Sequence, residues 1–214
     1  MNARRREREA LRRAEKEARL ARFEEKCGKL REEGYEQTEC TVTIKSASVW
    51  GFALAIPFAA AAIALCFIAG PRAAVEDKLY LDFFIAAVAG MACIPVHEGL
   101  HGLVWGIVNG SFSGIRFGIL REGLTPYCAC ETPMNRARYL AGCLAPFVVL
   151  GLGFAVAGAL TGFFVLALLA AFNILSAGGD LLISLKILCA GGGVYLDHPF
   201  ACGFYRFYKK KEGR

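Results

Sequence analysis

The chain has 214 residues, of which 56% are hydrophobic and 21% charged, with a mean hydropathy of +0.42 and a formal charge of +6. That balance is too apolar for an ordinary soluble globular enzyme. A secreted disulfide scaffold is also excluded, because the nine cysteines are odd in number, scattered and mostly set in apolar runs, where they read as small buried hydrophobes.

The average conceals two different polymers. Residues 1–33 hold twelve Lys or Arg and eight Glu, so +4 of the +6 lies in a segment with little to bury. This opening run is rich in helix formers and places opposite charges four residues apart, as in Glu9 with Arg13 and Glu15 with Arg19. It predicts a helix ending near Gly34, either solvated or seated through a thin stripe (Leu11, Ala14, Ala18, Ala21, Leu30) on a partner, anionic lipid or nucleic acid. No secretory signal is expected, since the first apolar run starts near residue 48 with no small-residue cleavage pattern before it.

Four apolar segments follow, predicted as membrane spans over 48–70, 81–108, 139–160 and 162–188. The first would be about 34 Å long as a helix. Segment 71–79 is a charge-balanced link, and the turn between the third and fourth spans is uncharged. The stretch 109–138 alternates Gly, polar and β-branched or aromatic residues and predicts a β-hairpin or re-entrant segment. A glycine-rich break, Gly191 to Gly193, leads to Asp197-His198-Pro199 and a basic tail. The expected fold is thus an all-α membrane protein of about four transmembrane helices with one short hairpin after the second. Its organisation is a charged cytoplasmic helical arm (1–46), a membrane domain (47–203) and a basic cytoplasmic tail (204–214). Lys and Arg are in excess in the arm, the 109–138 loop and the tail, which by the positive-inside rule puts an even number of spans in the cell membrane with both termini cytoplasmic.

The second span contains His97-Glu98-Gly99-Leu100-His101, an HExxH sequence. On a helix, residues four apart share one face, so two imidazoles can meet one divalent ion while the Glu points toward its open position. This is the geometry of metal-dependent peptide hydrolysis: the ion lowers the pKa of a bound water and polarises the carbonyl, and the Glu carries the proton to the leaving amine. Ionisable groups within a span are costly, and two of the chain's three His are in this motif. A catalytic zinc wants a third protein ligand. Asp180 is the only acid in the fourth span, and it and His101 each lie about eight residues, roughly 12 Å, from the cytoplasmic end of their spans. Small residues at Gly178 and Gly179 would let that helix approach closely or partly unwind. Zn²⁺ with two neutral His and ionised Asp180 and Glu98 sums to zero charge. Asp197 and His198 are the alternative ligands, and Asn173, two turns before Asp180, could bind a substrate carbonyl or an oxyanion. Cys128 and Cys130 are too close in sequence for a structural zinc pattern and are expected to be reduced and non-ligating.

These residues resemble the bacterial "putative zincin peptidase" family of small multi-span membrane proteins and, more distantly, the site-2 protease intramembrane metalloproteases. The likeness lies in Pro95 ahead of His97-Glu98-Gly99-Leu100-His101, the Ala145-Pro146 pair in the third span, Asn173 to Asp180, and the terminal Asp197-His198-Pro199, and it covers about residues 80–203. It implies zinc at His97, His101 and Asp180 with Glu98 as the base. Site-2 proteases place Pro and Gly around their third-ligand Asp where this chain has Gly178-Gly179-Asp180-Leu181, and the charged arm belongs to neither pattern. The expected function is a zinc-dependent membrane metalloendopeptidase cutting membrane or membrane-proximal proteins near the cytoplasmic side. Its expected partners are the lipid bilayer, a protein or peptide substrate and a candidate partner of the basic N-terminal helix, with no nucleic acid. The alternatives are a non-catalytic membrane adaptor with a structural metal or His pair, and a transporter using His97, Glu98 and Asp180 as a relay.

Overall fold

The computed structural model of the chain describes residues 3–69, 79–120 and 125–210. Most of the predicted charge-balanced link, the hairpin tip around Arg121 and the last four tail residues lie outside the described residues. In chain order the elements are α1 (Ala3–Glu32), β1 (Glu36–Val42), α2 (Ile44–Ala69), α3 (Leu79–Asn109), β2 (Ile115–Leu120), β3 (Thr125–Cys130), β4 (Met134–Asn135) and α4 (Arg136–Pro146). A wide π-helical segment (Phe147–Leu152) then runs into α5 (Gly153–Thr161), followed by α6 (Phe164–Ser176), α7 (Gly178–Ala190), β5 (Val194–Asp197) and β6 (Cys202–Tyr208).

Three helical stretches are long and apolar enough to cross a membrane: Ile44–Ala69, Leu79–Asn109 and Arg136–Thr161. A fourth is formed if α6 and α7 count as one span; they meet at Ala177 with a bend of 48°, beside Gly178 and Gly179, where the predicted span could approach closely or partly unwind. The packing is inverted relative to a water-soluble core. On α2 the small residues Gly51, Ala55, Ala59 and Ala62 are buried on one stripe, while Trp50, Phe52, Ile56 and Phe67 are exposed. Small side chains let helices approach closely, and large apolar ones facing outward are compatible with lipid. The tightest approach is where α2 crosses the start of α7: a Cβ on Gly51 would stand 2.7 Å from the Gly178 carbonyl carbon.

The predicted hairpin is present as β2 paired with β3, with Ile115 opposite Cys130 and Leu120 opposite Thr125. The all-α expectation is corrected by a second sheet, antiparallel, in the order β1-β6-β5-β4. Glu36 faces Tyr208 and Val42 faces Cys202 across it, so segments expected as arm and tail are neighbouring strands. Since β1 precedes α2 and β6 follows α7, the chain enters and leaves the helical layer at the same end. Both faces of this sheet are covered. Tyr195 and Phe204 pack on Tyr139, Ile183 and Ile187 at the helix ends, and Leu196 and Phe207 pack on α1. With two buried faces the strands lack the apolar–polar alternation that marks a strand in sequence.

The α1 helix stops where predicted. Gly34 takes φ +82°, its N–H bonds the Arg31 carbonyl, and the Tyr35 N–H bonds the Leu30 carbonyl at 3.0 Å, closing the helix with a left-handed cap. Of the expected thin stripe only Leu30 is buried, with Leu11, Ala14, Ala18 and Ala21 exposed, and Phe23 and Cys27 complete the seat. Alongside them Arg22 bonds both oxygens of Glu131 at 3.0 and 3.2 Å, and Lys26 bonds the Glu131 carbonyl at 2.6 Å. Burial by itself would raise the Glu131 pKa, but the hydrogen bond from Arg22 and the charges of Arg22, Arg116 and Lys26 outweigh it and hold the carboxyl below its ordinary value.

Gly51→Val should destabilise the helical layer by about 1–3 kcal/mol, because only backbone lies in the way. In contrast, Gly28→Ala in α1, where nothing lies within 4 Å, should stabilise by roughly 0.5–1 kcal/mol; thermal unfolding in detergent measures both. Glu131→Gln should loosen α1 by on the order of 2 kcal/mol, seen as faster amide exchange at Phe23 to Leu30. Acid should act alike: a carboxyl with a lowered folded pKa stabilises fully above its unfolded pKa, and that contribution disappears as the pH falls through the lowered value.

Candidate metal centre

Helix α3 stacks His97 and His101 one turn apart with ring centroids 5.0 Å from each other, both buried. Asp180 reaches them from the first turn of α7, where the helix dipole favours an anion. Its Oδ2 lies 3.1 Å from His97 Nε2 and its Oδ1 3.5 Å from His101 Nε2. One potential ligand atom from each of the three residues falls within 4.8 Å of the others. Donors each about 2.0–2.2 Å from a tetrahedral zinc are separated by roughly 3.3–3.5 Å, so these spacings suit an ion of that size. The donor types suit it as well, and Glu98 nearby brings the formal charge of the loaded site to zero.

The surroundings of the two imidazoles differ. His101 Nδ1 is 2.8 Å from the carbonyl of Gly142 on α4, which places the proton on Nδ1 and leaves the Nε2 lone pair toward Asp180. The Trp105 indole stacks on the His101 ring at 5.4 Å and donates from Nε1 to the Tyr139 carbonyl at 3.1 Å. Gly142 is needed for this fit, because a Cβ there would run into the indole. His97 Nδ1, in contrast, is buried without a partner among the described residues.

Glu98 lies beside the cluster, with the backbone N–H of Cys128 directed at its carboxylate. Two residues along the same strand, the N–H of Cys130 bonds Asp197 Oδ2 at 2.6 Å. The Glu131 N–H between β3 and β2 goes instead to the Gly114 carbonyl, so β3 turns its 128 and 130 amides away from the hairpin, toward the two carboxylates.

Of the alternative ligands, neither is brought to the cluster. Asp197 also accepts from the Tyr139 hydroxyl, and burial pushes its carboxyl up to about 6 despite both hydrogen bonds. His198 folds its own turn, with Nδ1 accepting from the Phe200 and Ala201 N–H groups at 3.0 and 2.8 Å, and stacks on Tyr205. Asn173 is buried in α6 and its Nδ2 donates to the Leu169 carbonyl 2.9 Å away, one turn back in its own helix. Cys128 and Cys130 are free thiols, like the other seven cysteines. Sequence reasoning missed Gly51, Gly142, Trp105 and the Cys128 amide. Only the glycines carried a signal, as small residues inside apolar helices; a backbone amide carries none.

Residues 90–195 match the model of the family described as "putative zincin peptidase", a stretch that contains His97, Glu98, His101 and Asp180. No curated protein and no solved structure matches the chain. The more distant likeness to site-2 proteases rests on the sequence pattern alone. With the HExxH pair and a third acid gathered inside it, the stretch 90–195 belongs to the putative zincin peptidase family.

Proposed function

We propose that this protein is a zinc-dependent endopeptidase of the cell membrane, cutting membrane or membrane-proximal proteins near the cytoplasmic side of the bilayer. The observation that carries the reading is the convergence of His97 and His101 from one helix and Asp180, 83 residues after His97, from another onto one volume of metal-site size. These three would hold the ion, and Glu98 would stand at its open position. When bound, the ion supplies Lewis acidity and makes water acidic enough to ionise near neutral pH. Glu98 accepts the water's proton and returns it to the leaving amine, and the Cys128 N–H holds its carboxylate in place for the transfer. A substrate that reaches Glu98 must be extended, with its peptide bonds freed from helical hydrogen bonding.

The location draws on three features: the apolar helices, the pairing of β1 with β6 that brings both chain ends to one end of the bundle, and the positive charge gathered there. Arg19, Arg22, Lys26, Arg116, Arg206 and Lys210 all take part in contacts of that layer, as cytoplasmic-facing segments should.

Metal content and peptide hydrolysis, measured on the same purified samples, test the reading. Wild type should hold about one zinc per chain, His97→Ala and Asp180→Ala should lose it, and Glu98→Gln should retain it with activity lowered at least 100-fold. Wild-type protein that never contains or takes up zinc would sink the proposal. So would a Glu98→Gln variant with undiminished hydrolysis.

A further inference from the structure

The Ala145-Pro146 pair of the third span has no part in the chemistry just described, yet its position relative to Gly142 is suggestive. In an α-helix the carbonyl of residue 142 would accept the N–H of residue 146. Residue 146 is proline, which has no N–H and whose ring crowds the carbonyl four residues before it. The next N–H along, that of Phe147, is bonded to the Leu144 carbonyl. After Pro146 the helix widens into the π-helical segment Phe147–Leu152, so the backbone does not return to close the gap. The carbonyl deprived of its helical donor is the one that stands 2.8 Å from His101 Nδ1. Gly142 adds the second requirement, because without a side chain it admits the Trp105 indole and lets α3 approach α4 closely enough for the imidazole to reach.

We propose that Pro146 is a positioning residue for the metal centre: by withholding a helical N–H from the Gly142 carbonyl, it reserves that carbonyl for His101 and so aims His101 Nε2 at the ion. The inference rests on the reading of His101 as a metal ligand. A buried imidazole has two tautomers, and only the one with its proton on Nδ1 offers Nε2 to a metal. An acceptor already engaged within its own helix would hold that tautomer less firmly. Proline inside a helix costs stability, and here the carbonyl it releases is put to use by a neighbouring helix.

The test compares full-length wild type, Pro146→Ala and Pro57→Ala in detergent; Pro57 lies inside α2 and serves as a proline control. Two quantities are measured: zinc affinity by chelator competition, and the tautomer of His101 by long-range nitrogen–proton spectra of the imidazoles, recorded with zinc and, at alkaline pH, without it. Pro146→Ala should bind zinc about 10–100-fold more weakly, the usual cost of losing the partner of a ligand histidine. It should show a mixture of tautomers at His101 and should not melt at a lower temperature than wild type without metal, since a helical hydrogen bond is restored. Pro57→Ala should keep wild-type zinc affinity and the Nδ1 proton. Pro146→Ala with unchanged zinc affinity and a pure Nδ1–H tautomer overturns the proposal. Equal loss of zinc in both variants does so too, because it marks a general effect of proline removal. If wild type takes up no zinc but the metal-free tautomer still shifts in Pro146→Ala, the metal reading has failed and the hydrogen-bond device stands.

Discussion

The contact on which the rest depends is that of one carboxylate, Asp180, with two imidazoles across the boundary between α3 and α7. Three ionisable groups in an apolar bundle are tolerable only if each meets a partner, and that requirement dictates the helices around them. The α6–α7 bend at Ala177 puts Asp180 in a first turn rather than mid-helix, where the helix dipole favours the anion. Contact between Gly51 and Gly178 sets the height at which that turn arrives. On the other side, Trp105 and the Gly142 carbonyl fix the ring of His101. Each of these is a backbone or small-residue device that lets polar groups meet without voids.

A second set of contacts joins this centre to the surface layer. Asp197 ties β5 to Tyr139 at the start of the third span and to Cys130 of β3, while Cys128 of the same strand faces Glu98. Glu131, the next residue, is gripped by Arg22 and Lys26 of α1. Four elements distant in sequence are thereby connected through four consecutive backbone positions, from Cys128 to Glu131. The strand beside the candidate base is held from several sides, which favours a site of fixed geometry over one assembled by loop closure.

Much of the centre was legible in the sequence because its signals are chemical and local. HExxH needs only helical periodicity to place two rings together, and a lone acid in an apolar segment is conspicuous wherever the chain carries it. Comparing depths along a single 162–188 span matched Asp180 to His101, and the bend, falling before Asp180, leaves it near the level of the rings. The sheet was not legible. Its strands are short, as few as two residues in β4, and Tyr195 and Leu196 are both buried, on opposite faces, so no alternation marks them. Most of the seat of α1 was obscured for a similar reason: beside the expected Leu30, Phe23 and Cys27 are isolated apolar positions in a run dominated by charge, and they matter only once Leu196 and Phe207 are there to receive them.

The pairing of Glu36–Val42 with Cys202–Tyr208 bears on how the molecule is made. During synthesis β1 emerges before the first apolar helix, and its partner emerges only after the last. The strand therefore waits with an unsatisfied edge while every helix is laid down, and closure of the sheet can occur only when the two ends of the helical layer reach the same side. An arrangement with one helix omitted or inverted would leave β1 and β6 separated by the thickness of the bundle. The sheet can thus close only over a helical layer whose two ends lie on one side, and the basic helix that covers its outer face docks on Leu196 and Phe207 once those strands are in place.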